Sequence, residues 1–425
     1  MMDTARPRVI VIGGGFGGLA TARALAGAPC DVILLDARNH HLFQPLLYQV
    51  ATAALSPAEI AWPIRHLLRR QANATVLMAE VDVVDVPSRR VHAGDLCWSY
   101  DHLVIAAGSR HSYFGNDHWA EHAPGLKTMD DAVDLRARVL AAFERAESLP
   151  HPSGTTFVVV GGGPTGVEMA GALIELARHA LRNEFRRTDP AWARVVLIEA
   201  GPRLLSALPQ ALSMEGQKRL EAMGVEVRLN TRVVDCGPDG VMLNTGHLTA
   251  QAVVWAAGVQ ASDLISQLPC AKDPSGRAIV DECLALIEHP EVRVIGDAAS
   301  IRDEAGKPVP GIAPAAKQAG HYVGRTIAEA LDGRLAGRPF RYRHAGNLAT
   351  IGTGTAVVDL GRIHLRGWWG WLFWSLVHVL FMIGVRNRVA VALDWIWSGL
   401  TRQRAARLIL GADVASSATT AAAAP

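Results

Sequence analysis

At 425 residues, half of them apolar, the chain is long enough for two or three domains with proper cores. Its 42 basic side chains against 40 acidic leave a net charge of +2, so bulk composition suggests neither a disordered chain nor a nucleic-acid binder. The five cysteines, Cys30, Cys97, Cys236, Cys270 and Cys283, include no C-x-x-C or similarly close pair, so no zinc site and no local redox disulfide is expected; buried free thiols in a reducing cytosol are. Only Met1 to Pro7 precede the first expected strand, too few residues for a signal peptide's apolar core, which places the expected body of the protein in the cytoplasm.

The first run, Val9 to Ile12 by residue, leads into Gly13, Gly15 and Gly18 at the spacing of a dinucleotide fingerprint, followed by an alanine-rich stretch. The first glycine allows a tight turn, the second lets backbone N–H groups approach a diphosphate, and the third lets helix pack on strand. A second apolar strand ends in Asp36, about twenty residues on, where a carboxylate accepts hydrogen bonds from a ribose. Strand, glycines, helix and acid agree, which outweighs a glycine turn made for packing alone. The next stretch, His40 through Gln49, is apolar but carries His, Gln and Tyr, and reads equally as a pocket wall or an ordinary buried loop. Ser56, Pro57 and Glu59 mark a helix start. Strands are expected over 79–86 and 89–96, and a further strand runs into Ala106, Ala107 and Gly108.

The pattern then restarts. A strand over 155–160 meets Gly161, Gly163 and Gly166 and a helix that carries Glu168; the strand over 195–198 ends in Glu199, again an acid suited to a ribose. Here the spacing exceeds the rule, because residues 178–193 insert an arginine-rich, helical-looking extension. A helix over 213–223 ends at Gly224, and a strand over 253–255 runs into Ala256, Ala257 and Gly258, so the duplication extends beyond the glycine loop. One more buried strand ends in Gly296 and Asp297 and is assigned to the first sheet. A helix begins near Pro314 and runs to 331, and a hairpin is expected over 348–360.

The tail differs in kind. Residues 367–385 carry no formal charge, and a second apolar stretch places Leu393, Ile396, Trp397 and Leu400 on one helical face with Asp394, Ser398 and Thr401 on the other. Between Arg362 and Arg407 seven arginines stand against one acid, and tryptophan with arginine at that density is the composition of a membrane interface. A helical hairpin buried in a core or dimer contact is the alternative. Residues 411–425, rich in Ala, Ser and Thr, are expected to be disordered.

Two glycine fingerprints with matching Ala-Ala-Gly ends, a late Gly-Asp strand and an aromatic, basic tail together resemble the type II NADH:quinone dehydrogenases, monotopic flavoenzymes with two dinucleotide-binding domains. The resemblance implies an α/β fold of two Rossmann-like domains, the NADH domain inserted into the FAD domain, plus a C-terminal amphipathic membrane-binding segment. The implied division is 1–115 and 281–335 for FAD, 116–280 for NADH, 336–410 for a hairpin and anchoring helices, and 411–425 for the tail. It implies that Gly13, Gly15, Gly18, Asp36, Gly108, Gly296 and Asp297 hold FAD. Gly161, Gly163, Gly166, Glu199 and Gly258 would hold NADH, with Glu168 beside the nicotinamide. The family's glutamine-rich start to the flavin-facing helix reads Ala316-Lys317-Gln318-Ala319-Gly320-His321 here, a departure at Lys317 that bears on the quinone site; Lys317 and Gln318 complete the expected catalytic set. The partners implied are NADH, a membrane quinone and the lipid surface along 366–410 on the cytoplasmic face of the cell membrane, with a homodimer left open and no nucleic acid or metal. A sulfide:quinone reductase shares the plan but needs flavin-adjacent cysteines, and a flavin- and NADH-binding redox sensor without turnover is the non-enzymatic alternative.

Overall fold

The computed structural model describes residues 6–149, 154–334 and 338–410; the segment expected to be disordered, 411–425, lies outside them. The described residues of 1–42, 61–111 and 259–345 form one compact unit, and those of 43–60, 112–258 and 346–410 a second.

The first unit is built on a six-stranded sheet in the order Ala285–Leu286, His289–Val294, His102–Ile105, Arg8–Ile12, Asp31–Asp36, Ala74–Met78. All its pairings are parallel except the one at the Ala285–Leu286 edge. Parallel strands need crossovers and covered faces, and Val9, Ile10, Val11, Leu103 and Val104 are accordingly buried. The strand before Gly296 does return to this sheet. Helix Phe16–Ala24 packs against helix Ala313–Leu331 through small residues: a Cβ on Gly320 would lie 2.1 Å from the Gly17 carbonyl oxygen, and one on Gly324 2.7 Å from that of Thr21. Between Ala74–Met78 and His102–Ile105 the expected pair of strands is a three-stranded meander, Val83–Asp85, Arg90–Ala93 and Leu96–Ser99. Gly94, at φ +57°, supplies a second turn that ends the expected second strand early and starts a third.

The second unit holds a four-stranded parallel sheet in the order Val225–Arg228, Arg194–Ile198, Thr156–Val160, Ala252–Trp255. Its helix Gln210–Met223 ends at Gly224 in the left-handed conformation, as the sequence predicts. The arginine-rich insertion is mostly not helical: after a π-turn over Leu176–Ala180 it runs as turns to a short 3-10 turn, Pro190–Trp192. The Glu147 carboxylate accepts the backbone N–H groups of Arg186, Arg187 and Thr188, and that anchor holds the segment as a loop. The expected C-terminal hairpin is a three-stranded sheet, Asn347–Thr350, Ala356–Asp359 and His364–Arg366.

These units differ from the division expected from sequence. Residues 43–60 belong with the second unit, where the Gln44 amide donates to the Lys127 carbonyl and helix Leu47–Ala51 packs on Met129–Ser148. Residues 259–280 belong with the first, because Val259–Ala261 pairs antiparallel with Ser109–His111.

The tail forms two helices, Gly367–Phe381 and Val385–Thr401. No helix among the described residues is long and apolar enough to cross a membrane. In the second helix the polar face is the one turned inward: Asn387 is buried and donates to the Ala58 carbonyl, Val391 is buried, and the Trp395 indole N–H donates to Gln49. Leu393, Ile396, Trp397 and Leu400 are 60–80% exposed, and Trp368, Trp369, Leu372 and Leu376 on the first helix are exposed too. The five cysteines are free; burial holds for Cys30 and Cys236, whereas Cys97 is exposed and Cys270 and Cys283 are half-buried.

Candidate functional site

Each unit carries a glycine loop between its first strand and first helix, and the two are built alike. Gly13 and Gly161 take φ of +98° and +111°. A Cβ at either would strike the carbonyl oxygen of the first alanine in the paired Ala-Ala-Gly segment, at 2.3 Å from Ala106 and 2.5 Å from Ala256. Gly18 and Gly166 sit on the carbonyl oxygens of Gly13 and Gly161, 1.8 Å from where a Cβ would be. A Cβ at Gly15 or Gly163, by contrast, would meet nothing within 4 Å beyond its chain neighbours among the described residues. The middle glycine of each loop therefore opens onto free space at a helix N-terminus, which is the arrangement a diphosphate needs.

The acids complete both loops. Asp36 Oδ2 accepts the Gly14 N–H at 2.6 Å, and Glu199 Oε2 accepts the Gly162 N–H at 2.6 Å. The sequence separations are 22 and 37 residues, so the long insertion leaves the geometry of the second loop unchanged. The second Glu199 oxygen accepts the Gly201 N–H at 2.6 Å. Arg203, four residues on, donates its guanidinium to the Ser206 and Leu208 carbonyls.

In the first unit Gly108 and Gly296 have φ of +70° and +68°, and Asp297 Oδ2 accepts the Ser109 hydroxyl at 2.8 Å. His41 Nδ1 is bonded to the Gly14 carbonyl at 2.9 Å while its buried Nε2 lacks a partner among the described residues. Burial lowers the His41 pKa to about 4, so the ring is neutral. Open space at Gly15, the Asp36 carboxylate and this spare ring nitrogen make a cradle that fits a flavin dinucleotide. Gln318 is committed elsewhere: its amide donates to the Arg343 carbonyl and accepts the Arg343 N–H, at 2.9 and 3.0 Å. Lys317 lies in the first turn and a half of helix Ala313–Leu331, with proline near its start.

In the second unit Glu168 stands on helix Pro164–Glu175 and accepts the Thr350 N–H at 3.3 Å. Burial pushes its pKa up to about 8, offset in part by that hydrogen bond, so the carboxyl holds a proton at neutral pH. It lines a cavity of about 330 Å³ together with Tyr48, Gln49, Trp371, Trp374 and Trp395. At the other end of the same helix the buried Arg404 donates to the Thr52 and Ala172 carbonyls and pairs with Glu175, whose carboxylate also takes the Thr353 N–H. Tyr48 and Gln49 fall in the stretch that sequence left open between pocket wall and buried loop. Arg404, Thr350 and Trp374 were not singled out, because their positions depend on how the C-terminal sheet and tail pack within the unit.

Two such loops define a pyridine-nucleotide flavoprotein with two dinucleotide sites. Residues 7–320 match the pyridine nucleotide-disulphide oxidoreductase family and residues 344–404 the NDH2 C-terminal domain. The chain is 40% identical over 418 residues to the type II NADH:quinone oxidoreductase Ndh of Mycobacterium tuberculosis, covering 94% of this chain and 89% of that one. It is 28% identical to the demethylphylloquinone reductase NdbB of Synechocystis, covering 93% and 97%. Its fold matches NDH2 of Plasmodium falciparum in complex with NADH at a TM-score of 0.85, with 21% identity over 96% of this chain and 100% of that one. A sulfide:quinone oxidoreductase of Aquifex aeolicus matches at 0.71, with 18% identity over 90% and 92%. The chain belongs to the type II NADH:quinone oxidoreductases.

Proposed function

We propose that this chain oxidises NADH and passes two electrons to a membrane quinone, without pumping protons, from the cytoplasmic face of the cell membrane. The observation that carries this reading is the duplicated cradle, an acid bonded to the N–H of the glycine loop in each unit, together with the family to which the chain belongs. Bound FAD supplies the redox chemistry, taking a hydride from NADH and giving electrons to the quinone.

The chain's own residues bind and orient. Asp36 and the N–H groups around Gly15 would hold the ribose and diphosphate of FAD, with Gly108, Gly296 and Asp297 completing that side. Glu199 and the loop at Gly163 would hold the adenosine and diphosphate of NADH, with Gly258 at the end of the neighbouring strand. Glu168 would stand beside the nicotinamide, where a protonated carboxyl adds no negative charge. The N-terminal end of helix Ala313–Leu331 carries the partial positive charge of the helix dipole, to which Lys317 would add a full charge. Gln318 fastens that helix end to Arg343. The exposed apolar faces of the two tail helices would lie in the membrane interface, with tryptophans at headgroup depth and arginines against anionic lipid.

The absorption spectrum of the purified protein tests the reading. A flavin spectrum that NADH bleaches and a quinone restores is expected. Bleaching by sulfide and not by NADH would point to the sulfide:quinone reductase reading, and bleaching without turnover to a redox sensor.

A further inference from the structure

The cavity in the second unit contains a hydrogen-bond chain with a fixed direction. An indole N–H can only donate, and that of Trp395 donates to Gln49 Oε1 at 2.8 Å. This settles the Gln49 amide, whose Nε2 end then donates to the Tyr48 hydroxyl oxygen at 2.9 Å. Swapping the amide ends would set an indole donor against an amide donor. The Tyr48 oxygen is therefore an acceptor in this chain, and its own proton is not consumed by it. Among the described residues the Tyr48 hydroxyl has no other side-chain partner.

A second unspent donor stands in the same wall: the buried Trp374 indole N–H has no acceptor among the described residues. Of the two carboxyls in the lining, Glu175 is bonded to Arg404 and Thr353, and Glu168 accepts the Thr350 N–H on one oxygen. The rest of the lining sets three indoles, Trp371, Trp374 and Trp395, beside the basic side chains His179, Arg219 and Arg402. A cavity of about 330 Å³ is at the size of small-molecule sites. Indole faces beside the unspent Tyr48 and Trp374 donors and a lining rich in N–H groups suit a planar ring with carbonyl oxygens at its edge.

We propose that the Tyr48 hydroxyl donates to a carbonyl oxygen of the quinone and that Gln49 and Trp395, the latter on the second tail helix, are positioning residues that aim it. The inference rests on the quinone-reducing reading above. It also means that the tail helix serves the substrate site directly, since the donor chain begins on it.

The test uses the full-length, FAD-loaded protein. Binding of a short-chain benzoquinone is followed by quenching of tryptophan fluorescence, and steady-state rates are measured with NADH against that quinone and against ferricyanide. Tyr48→Phe keeps the ring and removes only the donor. It should weaken quinone binding and raise the quinone KM by about 3- to 10-fold, the size of one neutral hydrogen bond, while the NADH KM and the ferricyanide rate stay unchanged. Gln49→Leu should act in the same direction but less, because the hydroxyl remains and only loses its orientation. Unchanged quinone affinity in Tyr48→Phe overturns the inference, as does a loss that falls on the NADH KM, which would make the hydroxyl a nicotinamide contact. If Tyr48→Phe does not fold, an unchanged quinone KM in Gln49→Leu overturns it. A wild-type protein that reduces ferricyanide but no quinone overturns the quinone reading itself, which these variants alone would not do.

Discussion

The Gly162 N–H donates to Glu199 Oε2 at 2.6 Å across 37 residues, repeating in the second unit the bond of the same length that joins Gly14 to Asp36 across 22. The pairing holds a carboxylate at the end of strand Arg194–Ile198, where the adenosine ribose of a bound dinucleotide would lie. A 2′-phosphate there meets a like charge, a repulsion of about 4 kcal/mol at ~4 Å and an effective dielectric near 20 before screening. Arg203 does not offset it, because its guanidinium is tied to the Ser206 and Leu208 carbonyls. NADH should therefore be preferred over NADPH in kcat/KM, and Glu199→Ala should narrow the preference at least tenfold. Equal specificity constants in the wild type would show that Glu199 does not face the ribose.

Lys317→Met should lower the midpoint potential of the bound flavin. If the ammonium stabilises the reduced cofactor, each 30 mV lost corresponds to about 1.4 kcal/mol of a two-electron couple. Spectroelectrochemical titration measures this directly, and an unchanged midpoint would make Lys317 a surface lysine without a redox role.

The tail contributes to the core and also carries the face proposed to meet the membrane. Removing it outright would take Trp374, Met382 and Val391 out of the interior, so an exposed-face variant is the cleaner probe. Ile396→Glu with Leu400→Glu changes two side chains that are 60% and 80% exposed. It should release the protein from vesicles of anionic lipid and lower activity with long-tailed quinones, while NADH oxidation by ferricyanide persists. Unchanged vesicle binding in a flotation assay would place the membrane face elsewhere.

Breaking the buried guanidinium network should cost far more than a surface pair. Arg404→Leu leaves Glu175 without its cation and the Thr52 carbonyl without a donor, and takes from the Ala172 carbonyl the donor it has besides the Leu176 N–H. Removal of one partner from a buried pair costs roughly 3–5 kcal/mol, so the urea midpoint should fall markedly; a shift of under about 1 kcal/mol would mean that water replaces the guanidinium.

One carboxyl pair makes stability depend on pH. Glu59 and Asp394 are hydrogen-bonded to each other, and burial together with that bond pushes the Glu59 pKa up to about 7. A carboxyl with a raised folded-state pKa binds more protons folded than unfolded between about pH 4.5 and 7. Its contribution is thus present at the acid end and lost as pH rises through 7. After discounting for solvent at a half-buried site, the effect is on the order of 1 kcal/mol. Melting temperatures at pH 5 and 8 should differ less in Glu59→Gln than in the wild type, and an identical difference would show that the pair does not share a proton.

The sequence by itself determined the two strand-turn-helix loops, their acids, the return of the Gly-Asp strand to the first sheet and the amphipathic character of the second tail helix. These are legible because they rest on local conditions: a backbone angle open to glycine, an alternation of apolar side chains, an acid at a strand end. Glu199 was placed despite its spacing because a parallel strand fixes its last residue by register, whatever the length of the loop before it. The tertiary structure alone decided that residues 43–60 join the second unit, that the polar face of helix Val385–Thr401 is the buried one, and that Tyr48, Gln49 and Trp395 form one chain. Those outcomes depend on contacts between segments 83 to 346 residues apart, where neither periodicity nor propensity carries information. A face with Asn, Asp, Trp and Ser reads as solvent-facing until the protein supplies the Ala58 carbonyl, the Glu59 carboxyl and the Gln49 amide that satisfy it.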